Sequence, residues 1–149
     1  MKGDDMTKTP GTPTFVNAIL ESPWTWHLAR VGLVSAYVIG GITKVSDIPA
    51  AIAEQEHFGF HPGWLWAWLA IIVELGGSAL ILSGRMVWLG AGALGVLTAF
   101  ATFAADPFWT LHGRAALMVL NTFFEHVGLI AGFVLVAMHS GIARHTNHV

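Results

Sequence analysis

The segment MVWLGAGALGVLTAFATFAA, residues 86–105, contains no charged side chain. A helix needs about 20 mostly apolar residues to cross the hydrocarbon core of a bilayer, and this stretch supplies them. The whole chain of 149 residues is 54% hydrophobic and 11% charged, with a mean hydropathy of +0.63. Soluble domains of this size are less apolar, so the sequence indicates a single-domain integral membrane protein.

Three further segments join this one to give four predicted spans, at residues 24–45, 63–82, 86–105 and 115–138. A chain of this length has room for four spans and short loops. We therefore predict an all-α integral membrane protein, a four-transmembrane-helix bundle with its membrane domain at residues 23–139. A flexible N-terminal tail, 1–22, and a C-terminal tail, 140–149, flank it, and the run IPAAIAEQEHF, 48–58, predicts a short helix on the membrane surface.

The distribution of basic residues predicts the orientation. Lys2, Lys8, Arg30, Arg85 and Arg144 fall on the side shared by the two tails and the Ser83–Arg85 turn, against only Lys44 and Arg114 on the other. Because cytoplasmic loops carry the excess of Lys and Arg, we expect both termini in the cytoplasm.

Charge and cysteine content exclude several functions. The net charge is −2 without a basic run, so we expect no nucleic-acid partner. The chain contains no cysteine, which removes disulfides, thiol redox chemistry and thiolate metal sites. We predict no intrinsic cofactor, and any electrons must be carried by a bound molecule or a partner.

Small residues spaced three and four apart predict the faces on which the spans pack. The stripes are Ala67, Ala70, Glu74, Gly77 and Ile81 on the second span, Ala91, Gly95 and Ala99 on the third, and Asn121, Glu125, Gly128 and Gly132 on the fourth. Two of these stripes carry a carboxylate. An ionisable group facing lipid is costly, so we expect Glu74 and Glu125 to point into the bundle.

Helical rise predicts which polar side chains share a depth. From the outer end of each span, Tyr37, Glu125 and Glu74 lie about 12 to 17 Å deep and Arg30 lies about 22 to 24 Å deep. We expect Arg30 to pair with Glu74, and Tyr37 to donate to Glu74 or Glu125. Lys44, near the outer edge, is expected to snorkel or to meet Asn121.

This polar layer has more than one interpretation. It can hold the four helices in register, or it can bind a lipid-soluble molecule with a polar head, such as a quinone. A proton or ion path is a third interpretation, although no continuous polar stripe crosses all four spans. The ligand-binding candidates are Glu74, Glu125, His126, Tyr37, Arg30, Asn121 and Lys44.

The histidines give weaker signals. His57, His61 and His112 are weak metal-binding candidates at the outer surface, and surface histidines are the better interpretation, so we predict no metal site. His126 points roughly 100° away from Glu125 on a helix and is expected to face a neighbouring helix, a partner or a ligand. His27 and His126 lie in opposite halves of the membrane, which argues against haem ligation within one chain.

Several motifs, in order, resemble the DoxX family of small bacterial membrane proteins. They cover roughly residues 30–141: RVGL at 30–33, GGxxK at 40–44, ELGG at 74–77, GR at 84–85, and NxFF at 121–124 leading to AG at 131–132. The chain departs from the family pattern at Glu125-His126, where the family often has Lys-Asn, and in its C-terminal tail.

The resemblance implies a four-helix bundle in the bacterial inner membrane and a link to redox chemistry, because the family name comes from a subunit of a thiosulfate:quinone oxidoreductase. Fold alone does not settle activity. The sequence-based hypothesis is a membrane subunit that binds quinone or anchors a redox partner. The alternatives are a structural or assembly subunit and a small-solute transporter. The expected partners are membrane lipid, a redox protein subunit and a second copy of the chain.

Overall fold

The computed structural model describes residues 12–105 and 108–146, and within these ranges it contains helices and no strand. The α-helices are α1 (Thr14–Leu20), α2 (Pro23–Ser46), α3 (Ile48–His57), α4 (Gly63–Ser83), α5 (Val87–Ala105) and α6 (Gly113–Thr146), with a short 3-10 helix at Phe108–Thr110. The first eleven residues of the predicted N-terminal tail, and residues 147–149 of the C-terminal tail, lie outside the described residues.

Four helices, α2, α4, α5 and α6, are long and apolar enough to cross a membrane, which confirms the predicted all-α, four-span fold. The bounds of α2, α4 and α5 differ from the predicted spans by one residue at most at each end. The last helix is longer than expected: α6 begins at Gly113 and continues to Thr146. At about 1.5 Å per residue, its 34 residues extend well beyond a hydrocarbon core of about 30 Å.

The two ends of the bundle can be named from contacts. The indole of Trp26, near the start of α2, packs 4.1 Å from the ring of His139, near the end of α6. We call this the terminal end, and it also holds the turn between α4 and α5. The opposite end, with α3, the start of α4 and the start of α6, is the loop end. Cytoplasmic placement of the terminal end stays a prediction.

The short helix predicted between the first two spans is present as α3. The Asp47 side chain accepts a hydrogen bond from Ala50 N at 3.0 Å, which caps the first turn, and a proline occupies that turn. Proline is tolerated there because its missing N–H has no intrahelical partner. α3 packs against α4 and α2 through buried Ala51, so it covers the loop end of these two spans.

The turn between α4 and α5 depends on glycine. Gly84 ends α4 with φ of 73°, in the left-handed region that glycine adopts most readily, and its N–H donates to Ile81 O at 3.3 Å. Further along, α4 and α5 approach closely at Gly77 and Gly90. A Cβ on Gly90 would lie 2.6 Å from Gly77 O, so even alanine would force the helices apart.

The buried core lies toward the terminal end and joins all four spans. Its cluster comprises Val34, Ile81, Val87, Ala91, Leu94, Phe133 and Val136. The predicted α4 stripe is confirmed, because all of its members are buried: Ala67, Ala70, Glu74, Gly77 and Ile81. The α5 stripe is partly right: Ala91 is buried, whereas Gly95 and Ala99 are half-buried and Leu94, Thr98 and Thr102 face inward.

The predicted inward face of α6 is right only at Gly132, which is half-buried and whose Cβ, if present, would lie 3.1 Å from Leu33 Cδ1 on α2. Asn121, Glu125 and Gly128 are exposed on the outside of the bundle, and the buried residues of this helix include Phe133, Val136 and Ser140. The physical reason is the number of neighbours. α6 packs along α5 and touches α2 only briefly, so a narrow strip of its surface is covered.

Candidate functional site

The strongest polar contact between spans joins Lys44 and Glu74. Lys44 Nζ donates to the two carboxylate oxygens of Glu74 at 3.0 and 3.3 Å, with the two side chains 16% and 12% exposed. Lys44 lies near the end of α2 and Glu74 in the middle of α4. The expectation that Lys44 snorkels or meets Asn121 is therefore wrong, because a buried carboxylate within reach is the stronger partner for an ammonium group.

Two glycines make room for this contact. A Cβ on Gly41 would lie 2.6 Å from Leu75 Cδ2, and a Cβ on Gly40 would lie 3.5 Å from a carboxylate oxygen of Glu74. Because the GG pair of the GGxxK motif has no side chains, α4 can lie close to α2 one turn from Lys44. The motif thus places the lysine and the carboxylate at hydrogen-bond distance.

The expected Arg30–Glu74 ion pair is also wrong. Arg30 is buried at the terminal end, where its Nη1 donates to Ile81 O at 3.2 Å and its guanidinium lies 4.7 Å from the ring centroid of Trp26. The carbonyl groups in the last turn of a helix lack intrahelical partners and carry the negative end of the helix dipole. Arg30 therefore stabilises the C-terminus of α4 and does not reach Glu74.

A cavity of about 700 Å³ lies beside the Lys44–Glu74 pair. One wall is a row of side chains and one glycine on α5, which we call the α5 row: Trp88, Leu89, Gly92, Ala93, Val96, Leu97, Phe100, Ala101 and Ala104. The facing wall comes from the loop-end half of α4, namely Trp66, Leu69, Ala70, Val73 and Glu74. Leu69, Trp88 and Val96 are exposed on the outside of the bundle, so the cavity opens sideways, toward lipid.

The polar groups of the cavity lie in its loop-end half. Glu54 and Gln55 of α3 line the loop end itself, and the Lys44–Glu74 pair lies nearer the middle of the cavity. With one cationic and two carboxylate side chains, the formal charge of the lining is −1. The rest of the wall is apolar, so the cavity has one polar end and a long apolar body.

Three aromatic rings stand at the same end of the cavity. The rings of Trp66 and Phe100 stack with centroids 5.6 Å apart and planes 8° apart, and Phe60 contacts them at 5.3 and 5.2 Å. These separations fall in the range in which aromatic pairs attract each other. The cluster gives the loop end of the cavity a rigid wall of flat ring faces.

The sequence led us to expect that Tyr37 donates to Glu74 or Glu125, and this expectation is wrong. The Tyr37 hydroxyl lies 2.5 Å from Thr98 Oγ1, and its ring packs on Phe133. Thr98 Oγ1 donates to Leu94 O at 2.7 Å, so the tyrosine hydroxyl is the donor in the shared bond. This contact ties α2 to α5 inside the bundle.

His126 faces a neighbouring helix, which is the first of the three partners expected for it. Its Nδ1 lies 2.8 Å from Thr102 Oγ1, which itself donates to Thr98 O at 2.7 Å. Since the threonine proton is used, Nδ1 carries the proton of this bond. Thr102 lies three residues before the end of α5 at Ala105, so His126 is about one turn from the loop end.

Asn121 and Glu125 form a local pair outside the site. The Asn121 amide donates to Glu125 Oε1 at 2.8 Å, one helical turn along α6, and both side chains are exposed. Glu125 neighbours His126 and so lies near the loop end, not at mid-membrane. The depth inferred for it was wrong because α6 starts earlier and projects beyond α5.

The three weak metal candidates are not brought together as a ligand cluster. His57, His61 and His112 are all exposed, and the His57 ring contacts Phe58 at 5.5 Å. In the part of the chain that the structure describes, no group of three or more His, Asp or Glu side chains is placed to hold a metal ion.

Of the seven ligand-binding candidates, only Lys44 and Glu74 line the cavity. Sequence reasoning missed Glu54, Gln55, Phe60, Trp66 and Phe100. A usable signal existed for part of the set, because Trp88, Gly92, Val96 and Phe100 recur every four residues on the third span. We used only the small residues of that span to predict its packing face, and so we overlooked the second face that these four residues form.

The comparisons with known proteins identify a family and nothing closer. A family model described as DoxX matches residues 25–107, more than half of the chain. The matched range covers α2 from its third residue to the end of α5, and therefore contains every residue that lines the cavity. No curated protein and no solved structure matches the chain.

Proposed function

Because this chain belongs to the DoxX family and forms a membrane bundle, we propose that it is a membrane subunit of a redox system and binds a quinone in the cavity beside Lys44 and Glu74. The observation that carries the proposal is the cavity itself. Its 700 Å³ falls within the range of small-molecule and cofactor sites, about 300–1,000 Å³. Its lateral opening suits a ligand that arrives from the lipid.

The polar end of the cavity fits the head of a quinone. An ammonium group has three N–H donors, and Glu74 occupies at most two of those on Lys44. The remaining donor can bind a quinone carbonyl oxygen, while Glu74 holds the ammonium in place. The stacked faces of Trp66 and Phe100 offer a surface for the flat ring.

In this proposal the electrons come from a partner protein of the same redox system. The chain supplies the membrane anchor and the quinone site, and the Lys44–Glu74 pair orients the quinone head. The absence of cysteine means that thiol chemistry of this chain does not contribute. A second copy of the chain stays a further predicted partner.

The test begins with protein purified in a mild detergent from bacterial membranes. We expect quinone in the solvent extract of the wild type, and quenching of tryptophan fluorescence when a short-tailed quinone is added. Trp66→Phe should remove most of this quenching, because Trp66 lines the cavity. Trp68→Phe is the matched control, since Trp68 lies on the same helix but outside the lining.

Replacement of the ion pair gives the second arm. Glu74→Gln should weaken quinone binding about tenfold, because the ammonium loses the partner that orients it. Glu125→Gln should bind like the wild type, since Glu125 lies outside the cavity. If the wild type retains no quinone and binds none on titration, the proposal is wrong.

The Lys44–Glu74 and Arg30 contacts favour a second candidate, a structural or assembly subunit without a small-molecule site. Both contacts join α2 to α4, and the Arg30 contact is buried while the Lys44–Glu74 contact is part-buried. This candidate predicts that Glu74→Gln lowers thermal stability or abundance, while partner turnover per folded molecule stays unchanged. Measuring turnover against the amount of folded protein separates the two candidates.

A further inference from the structure

The cavity is long as well as amphipathic. From Trp88 to Ala104 the α5 row spans 17 residues of continuous helix, whose axial rise is about 24 Å at 1.5 Å per residue. This is most of a hydrocarbon core of about 30 Å. Gly77 of α4 approaches Gly90 and Leu94, so Glu74, three residues closer to the loop end, is level with the middle of the α5 row. A quinone ring beside Lys44 and Glu74 therefore leaves about 10 Å of the α5 row toward the terminal end to be filled.

That remaining length has no polar side chain. The α5 row consists of aliphatic and aromatic side chains and glycine, and none of the charged groups of the lining lies between the Lys44–Glu74 pair and the terminal end. Gly92 interrupts the row one turn from Trp88, and a Cβ placed there would meet nothing within 4 Å. The row is therefore an open apolar groove that starts at the head site.

We propose that the terminal-end half of the α5 row holds the isoprenoid tail of the quinone, so that the ligand binds with its head beside Lys44 and Glu74 and its tail passing Gly92 toward Trp88. This inference rests on the proposed function and adds a tail subsite and an orientation to it. Gly92 is the residue that keeps the tail path open.

Charge favours this occupant over a phospholipid. A phosphate headgroup would meet a lining with a formal charge of −1, in which the one cation, Lys44, already pairs with Glu74. Bringing a further anion to that site is repulsive. A quinone head is neutral and accepts hydrogen bonds, so it meets no such penalty.

Apolar burial alone does not select the tail. Lipid chains are as apolar as the groove, so moving a tail from lipid into the α5 row gains little free energy. The head supplies the affinity, and the groove decides which way the tail leaves. A side chain that closes the groove should then act on tailed quinones through steric exclusion, with little effect on a tailless head.

The decisive experiment compares two ligands on three proteins in nanodiscs. The ligands are a quinone with a tail of several isoprene units and the same ring without a tail. The proteins are the wild type, Gly92→Leu, and Gly128→Leu, the last a matched control because Gly128 is exposed on α6 with open space around its Cα. Since each ligand is compared across proteins, its partition into lipid cancels.

We expect Gly92→Leu to weaken binding of the tailed quinone about tenfold or more and to leave the tailless ring within about twofold of the wild type. Gly128→Leu should bind both ligands like the wild type. Equal losses for both ligands, or no loss for either, would show that the α5 row is not the tail path. If Gly92→Leu does not fold, Val96→Trp tests the same groove one turn away.

A second readout reports where the tail ends. A quinone with bromine at the end of its tail should quench Trp88, and Trp88→Phe should remove most of that quenching. Trp24→Phe is the depth-matched control, because Trp24 also lies near the terminal end but outside the cavity. Equal effects of the two variants, or a phospholipid retained in the groove in place of quinone, would overturn the tail assignment. Failure of the wild type to bind even the tailless ring would instead refute the proposed function.

Discussion

The helices α4 and α6 carry similar sequence patterns and use them in opposite ways. Each has a carboxylate in line with small residues, Glu74 with Gly77 on α4 and Glu125 with Gly128 on α6. On α4 this face is buried and pairs with Lys44, whereas on α6 it is exposed and pairs only within its own helix. Of an apolar 18-residue stretch of each helix, 39% is buried on α4 and 11% on α6.

The difference shows what a small-residue stripe can predict. α4 is packed by α2, α3 and α5, so its small residues had to admit a neighbour. α6 leans mainly on α5, which approaches it along the His126–Phe133 side. Small residues permit two helices to approach closely, but the arrangement of the other helices determines whether a helix packs on that face.

The largest expected effect on stability comes from removing the carboxylate of Glu74, and the same change at Glu125 is the comparison. Glu74→Ala leaves Lys44 buried without its partner and should lower the free energy of unfolding by about 3 kcal/mol or more. Glu125→Ala should change it by less than about 0.5 kcal/mol, because exposed contacts of this kind contribute little. Chemical unfolding in detergent micelles measures both. Equal losses would mean that the contrast between α4 and α6 is false.

A double variant sharpens this result. Lys44→Met combined with Glu74→Met removes both charges and should recover most of the stability lost in Glu74→Ala, because an apolar pair can replace a buried ion pair. If the double variant is as unstable as the single one, the loss does not come from an unpaired lysine.

The next effect concerns glycines on the two faces. Gly90→Ala should lower the free energy of unfolding by about 1–3 kcal/mol, because its Cβ would lie 2.6 Å from Gly77 O on α4. Gly128→Ala on α6 meets nothing within 4 Å and should be neutral or stabilise by up to about 1 kcal/mol, as alanine is the better helix former. Thermal unfolding of the purified variants is the measurement, and a destabilised Gly128→Ala would reveal a neighbour on that face.

The smallest effect tests the side on which α6 is held. Thr102→Val removes the hydrogen bond to His126 and should cost about 0.6 kcal/mol, the mean for bonds between membrane helices. Thr122→Val is the control, since Thr122 Oγ1 bonds only the Met118 carbonyl of its own helix. A larger cost for the control than for Thr102→Val would contradict the packing of α5 on α6.

Much of the site's composition could have been expected from the sequence, but not its pairing. The sequence pointed to all three of Lys44, Glu74 and Arg30 as polar residues within the spans. However, Glu74 pairs with Lys44 and not with Arg30, the partner that was predicted from the sequence. Depth along a span gave no information on lateral approach through Gly40 and Gly41. The sequence reasoning also considered only side chains as hydrogen-bond partners, whereas Arg30 donates to a backbone carbonyl, Ile81 O, near the end of α4.

Sequence reasoning was enough to predict the four spans, the short helix α3, the turn at Gly84 and the buried stripe of α4. These follow from local physics: hydropathy over about 20 residues, capping chemistry and backbone conformation. The packing of the helices turns His126 inward and Glu125 outward on α6, brings Lys44 to Glu74, and leaves a long groove along α5, and none of these could be predicted from the sequence. Those outcomes depend on which helices lie side by side, and in lipid every span is apolar enough that its pattern of residues does not name its neighbours.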